Sequence, residues 1–154
     1  MTTSYYSRQL RKTPQGMSYS TEEDFKNEDE VFALIEEKWG CKTHRFPQFH
    51  QIDGYTVRDD RMESLVEVKA RSHASTKFDT CFLNARKFMA LWMASVGFNV
   101  PAYYVVKFTD TILYIEIGEV DGSQQKIAGC KRIVKAQSDI EPCVLVPISS
   151  MKKL

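Results

Sequence analysis

The sequence predicts an α/β (α+β) fold in which helices flank a central mixed β-sheet. Three observations lead there: an acidic-capped amphipathic stretch, a charged turn between two β-rich runs, and a second apolar helical stretch followed by further short strands. The 154 residues, 43% hydrophobic and 27% charged, suit one globular domain with a substantial core.

Residues 1–20 are polar, contain Pro14 and Gly16, and read as a flexible N-terminal arm ahead of a domain over 21–154. Ser20 or Thr21 offers a helix N-cap, and Glu22, Glu23 and Asp24 suit the positive end of the helix dipole. A first helix is expected over Thr21–Trp39, stopped by Gly40. Cys41–Phe46 and Phe49–Val57 are rich in aromatic and β-branched residues, with Pro47 between them. Arg58-Asp59-Asp60-Arg61 is a charged turn, and Met62–Ala70 completes an antiparallel hairpin. A second helix is expected over 79–97, capped by Asp79, with Cys81, Ala85, Phe88, Met89, Trp92 and Val96 as a core stripe at helical spacing. Ala102–Phe108 and Thr111–Ile117 are strands, Gly118–Gly129 is a loop, and Lys131–Val134 and Cys143–Ile148 are short strands.

Composition restricts function. Apolar runs are too short and too interrupted to span a bilayer, and MTTSYYSRQLRK lacks the apolar segment of a secretory signal, so a cytoplasmic location without membrane contact is expected. Cys41, Cys81, Cys130 and Cys143 form no CxxC pair, and the three histidines lack zinc-site spacing, so neither structural zinc nor a disulfide framework is expected. The net charge of +1 announces no nucleic-acid binder, although basic residues cluster locally, as at Lys69, Arg71 and Lys77.

The chemistry concentrates at Asp53 and at Glu67-Val68-Lys69. On a strand Glu67 and Lys69 share one face while Val66 and Val68 share the other, and Asp53 on the partner strand lies beside them. Two converging carboxylates make the oxygen-rich site that Mg²⁺ prefers, with Mn²⁺ able to substitute and the Val68 carbonyl available as a further ligand. Lys69 would orient or deprotonate a water or stabilise developing phosphorane charge. For a Glu-x-Lys tripeptide alone, a cross-strand salt bridge on a solvated face is the better explanation, because the tripeptide is common; Asp53, the hairpin and the two flanking helices are what sharpen the signal.

The motifs QID (Gln51-Ile52-Asp53) and EVK (Glu67-Val68-Lys69), in this order and inside this succession of elements, resemble the PD-(D/E)xK nuclease superfamily, with Ile52 where the family name has Pro. The chain looks similar to archaeal Holliday-junction resolvases and small phage nucleases from about Glu22 to Glu119, including the EEK of the first helix and the strand Val105-Val106-Lys107-Phe108. That resemblance implies a restriction-endonuclease-like core and a glutamate from the first helix in the metal site. A helical projection selects Glu28, within about 60° of Val31, Phe32, Ile35 and Trp39, over Glu30 and Glu37. A place near the helix start would also make Glu28 comfortable as an ordinary dipole partner. Arg71, His73, Ser75 and Lys77 are expected to contact DNA, or else to form an exposed loop.

The reading is therefore a Mg²⁺-dependent nuclease cutting DNA, an endonuclease rather than an exonuclease, with branched or Holliday-junction DNA as a candidate substrate and a homodimer as a candidate assembly. A non-catalytic nucleic-acid-binding or assembly protein on the same fold is the alternative, and an α/β domain with an incidental salt bridge is a third.

Overall fold

The computed structural model describes residues 22–47, 50–128 and 141–154. Helix α1 (Glu22–Trp39) is followed by β1 (Lys42–Arg45), β2 (Gly54–Arg58), β3 (Arg61–Ala70) and β4 (Thr80–Asn84). Helix α2 (Ala85–Phe98) then leads to β5 (Ala102–Lys107), β6 (Ile112–Glu116), β7 (Gln125–Ala128), β8 (Glu141–Pro147) and β9 (Lys152–Lys153). One six-stranded sheet has the order β1-β2-β3-β5-β6-β9, and a three-stranded sheet has the order β4-β8-β7. The β3–β5 pair is parallel and the other pairs are antiparallel, so the larger sheet is mixed as expected. Its parallel neighbours need a crossover, which β4 and α2 supply.

The elements follow from local chemistry. α1 buries Val31, Phe32 and Ile35 and ends where Gly40 takes φ +61°, its N–H donating to the Glu36 carbonyl at 3.0 Å. The β2–β3 hairpin turns through Asp59 and Asp60, at φ 50° and 58°. Positive φ at both central residues matches the right-handed twist of the flanking strands, and aspartate tolerates it better than most residues.

Alternation on β3 sends side chains to two cores. Val66 and Val68 join Val31, Phe32, Ile35 and Val105 in a cluster under α1. Leu65 belongs to the larger cluster with Leu83, Leu91, Tyr104, Val106, Ile115, Val144 and Val146. Since both faces of β3 are covered, Glu67 and Lys69 point to the side of the sheet that α2 packs on.

Four expectations need correction. The second helix begins at Ala85, not at 79, because Thr80–Asn84 is a strand paired with β8. Its cap is Asn84 rather than Asp79, with Oδ1 accepting from Arg86 N at 2.8 Å and Lys87 N at 3.3 Å. The helical core stripe is not wholly buried either: Phe88 is, but Met89, Trp92 and Val96 are exposed by 51%, 43% and 69%. The stretch read as a loop contains β7 and a 3-10 turn at Ile117–Glu119. The N-terminal arm, the helix caps Ser20 and Thr21, Phe49 and the strand expected at Lys131–Val134 lie outside the described residues.

Candidate metal and nucleic-acid site

Asp53 ends the segment entering β2, and Glu67 and Lys69 lie on β3. Gly54 pairs with Val66, so one further step of the antiparallel register sets Asp53 opposite Glu67. Both carboxylates are buried, Asp53 at 6% and Glu67 at 4% exposure. Buried carboxylates demand hydrogen bonds or cations. Asp53 Oδ2 accepts the Val68 backbone N–H at 2.8 Å, and Glu67 Oε1 accepts from the ammonium of Lys87, the third residue of α2. The Val68 carbonyl thus belongs to a residue already tethered to Asp53.

Lys69 is exposed at the same rim. Its pKa is lowered, first by partial desolvation and then by the like charges of Arg71 and Lys87, while Glu67 and Asp24 act in the opposite direction. Burial and neighbouring cations thus weaken the hold of Lys69 on its proton, against the opposing pull of Glu67.

Glu28 is half-buried on α1, as the helical projection required, and is ion-paired with Arg45. The Arg45 guanidinium also lies 4.2 Å from the Phe32 ring centroid and contacts Asp29 at 3.3 Å. Arg45 pairs in register with Gly54, next to Asp53. Glu28 is therefore near the strand that carries Asp53 but is held by a cation of its own. Among the described residues, no three His, Cys, Asp or Glu side chains converge as a ready metal cluster. Glu30 is exposed and reaches Lys107 instead.

The four residues after β3 occupy different settings. Arg71 Nη2 donates to the Phe82 carbonyl at 2.9 Å, which also accepts from Tyr104 Oη at 3.0 Å, so Arg71 ties the end of β3 to β4. His73 packs against Phe78 and Phe108, at centroid distances of 5.1 and 5.7 Å. Ser75 donates to Asp110 through its N–H at 2.8 Å and its hydroxyl at 2.7 Å. Lys77 is exposed, with its ammonium 5.3 Å from the Phe78 ring centroid. Sequence reasoning missed Lys87, which belongs to neither motif and meets Glu67 only through folding.

The donor chemistry fits a hard divalent cation: two buried carboxylates in facing register, one of them already satisfied by a positive charge. Over residues 15–154 the chain matches the family described as "Phage putative PDDEXK endonuclease". The chain belongs to this endonuclease family. The fold is similar to that of Archaeoglobus fulgidus Hjc, a Holliday junction resolvase from an archaeal hyperthermophile, with a TM-score of 0.55 at 14% identity over 81% of this chain and 88% of that one. No curated protein matches the sequence. The restriction-endonuclease-like core implied by QID and EVK is thus present. Among the described residues, no helix is long and apolar enough to cross a membrane.

Proposed function

We propose that this PDDEXK family member is a Mg²⁺-dependent endonuclease that cuts DNA, with branched DNA as its preferred substrate. The observation that carries the proposal is the facing pair of buried carboxylates, Asp53 and Glu67, with Lys69 two residues further along β3. Asp53, Glu67 and the Val68 carbonyl would hold the ion, with Glu28 as a further member from α1 and Mn²⁺ as a substitute metal. When bound, such an ion polarises the phosphate and acidifies a water.

The chain's own residues supply the rest. Asp53 fixes the backbone between Glu67 and Lys69, so the ligands and the lysine keep one spacing. Lys69 Nζ, with its lowered pKa, accepts a proton from the attacking water or, when protonated, faces the developing phosphorane charge. Arg71, His73, Ser75 and Lys77 continue from β3 and are proposed to meet the phosphate backbone, Lys77 most directly because its ammonium is exposed. Branch preference draws support from the fold shared with a Holliday junction resolvase. A second copy of the chain is the proposed partner for acting on paired strands, with residues 21–154 as the repeating domain and 1–20 as its arm. The site of action would be the cytoplasm of a phage-infected cell.

The experiment compares wild type with Asp53→Asn, Glu67→Gln and Lys69→Met on four-way, linear duplex and single-stranded DNA, in Mg²⁺ and in Mn²⁺. Cleavage by wild type and a loss of about a hundredfold or more in each variant are expected. Failure of wild type to cut any of these DNAs with either metal sinks the catalytic reading, and binding without cutting leaves the non-catalytic alternative.

A further inference from the structure

Lys87 is the residue that neither motif anticipates. It sits in the first turn of α2, which contains no acidic residue and begins Ala85-Arg86-Lys87. Cations at a helix N-terminus oppose the macrodipole, so helix stability does not explain the choice. Its ammonium instead crosses to Glu67 Oε1. The Glu67 side chain is only 6% exposed, whereas that of Lys87 is 29% exposed, so the cation is the partner with a path to solvent.

We propose that Lys87 is a removable counterion: it pairs with Glu67 and orients it in the metal-free protein, and yields that carboxylate to the divalent cation. This rests on the reading of Glu67 as a metal ligand. Two cations compete for one buried carboxylate, and only one is covalently part of the protein. Lys87 spares the metal-free state an uncompensated buried charge, which would be strongly destabilising. It also sets the metal affinity, because every binding event must break the ion pair. Lys87 acts on metal binding through Glu67 and is a positioning residue in that role.

Calorimetry with Mn²⁺ alone, without DNA, is the test. Lys87→Met is expected to bind Mn²⁺ about tenfold more tightly than wild type, because the competitor is gone. Lys87→Arg keeps the charge and is expected to bind no more tightly than wild type. Glu67→Gln is expected to abolish binding in either background. Metal-free Lys87→Met should melt below wild type and be raised more by saturating Mn²⁺ than wild type is. Should Lys87→Met fail to fold, Lys87→Gln retains a hydrogen bond to Glu67 without the charge and should show the same tightening. Unchanged or weaker Mn²⁺ affinity in the neutral variants, with wild type binding normally, overturns the counterion role and leaves a structural ion pair. Absence of Mn²⁺ binding by wild type overturns the metal site itself, and the counterion with it.

Discussion

Asp53 Oδ2 accepts the Val68 backbone N–H at 2.8 Å, so the carboxylate on one strand fixes the backbone position between Glu67 and Lys69 on the next. Removing that carboxylate therefore has two separable consequences. Asp53→Ala leaves a buried donor unmatched and should cost about 1–3 kcal/mol in urea unfolding. Asp53→Asn retains an accepting oxygen and should recover most of that stability while staying inactive. Equal stability of the two variants would show that the hydrogen bond is not what holds this end of β3.

Gly54 is the next residue, and its missing side chain is a packing requirement. A Cβ there would lie 2.4 Å from the His44 carbonyl oxygen and 3.0 Å from two Phe32 ring atoms. Because the closest obstacle is backbone, relief requires β1 to move away from β2. Gly54→Ala should destabilise the fold by about 1–3 kcal/mol and depress cleavage, since Asp53 moves with the strand. A wild-type urea midpoint together with full activity would contradict this.

The Cys81 thiol is buried, and desolvation pushes its pKa from 9.0 to about 11. The folded state therefore binds the proton more tightly than the unfolded chain. Its stabilising contribution is complete below pH 9 and is lost as pH rises towards 11. Over that window the loss from this group is about 3 kcal/mol. Urea titrations at pH 8 and pH 10.5 should show Cys81→Ala losing less stability on alkalinisation than wild type, and an equally steep decline in both would refute the assignment. Tyr104, whose pKa is also raised by burial, extends the alkaline decline to higher pH in both proteins.

From Phe88 to Val106 the sequence contains no charged residue, yet α2 exposes Met89, Trp92, Met93, Val96 and Phe98. An uncharged apolar row suits another apolar surface better than a phosphate backbone. If a second copy covers it, Met93→Lys combined with Val96→Glu should shift sedimentation from dimer to monomer. The melting temperature of the isolated monomer should change little, because these side chains touch little of their own chain. Wild type sedimenting as a monomer across the micromolar range would remove the dimer from the proposal.

What the sequence disclosed, and what it concealed, follows the range of each interaction. α1 was legible because its acidic start, its 31–32–35 spacing and Gly40 are all local signals. Arg58–Arg61 was legible because two turn residues separate two β-rich runs. At 79–84 the local signals conflicted: Cys81 and Leu83 alternate as a strand does, yet Cys81 also continues the helical spacing of 85–96. Pairing with β8, some sixty residues later, decided the outcome. Asp53, Glu67 and Lys69 were legible as a spaced motif. Lys87 was not, because its partner lies across a crossover that local spacing does not encode.

The pairing of β4 with β8 also bears on the order in which the molecule can be completed as it is synthesised. All three motif residues precede β4, whereas Glu141–Pro147, the strand that borders β4 in the smaller sheet, follows it by some sixty residues. The β2–β3 hairpin can form early from neighbouring residues, but the strand that delivers α2 gains its β8 neighbour only after the intervening residues have been made. Support for α2 through β4 thereby waits on Glu141–Pro147, and a nascent chain stalled before Glu141 would present Asp53, Glu67 and Lys69 without that support.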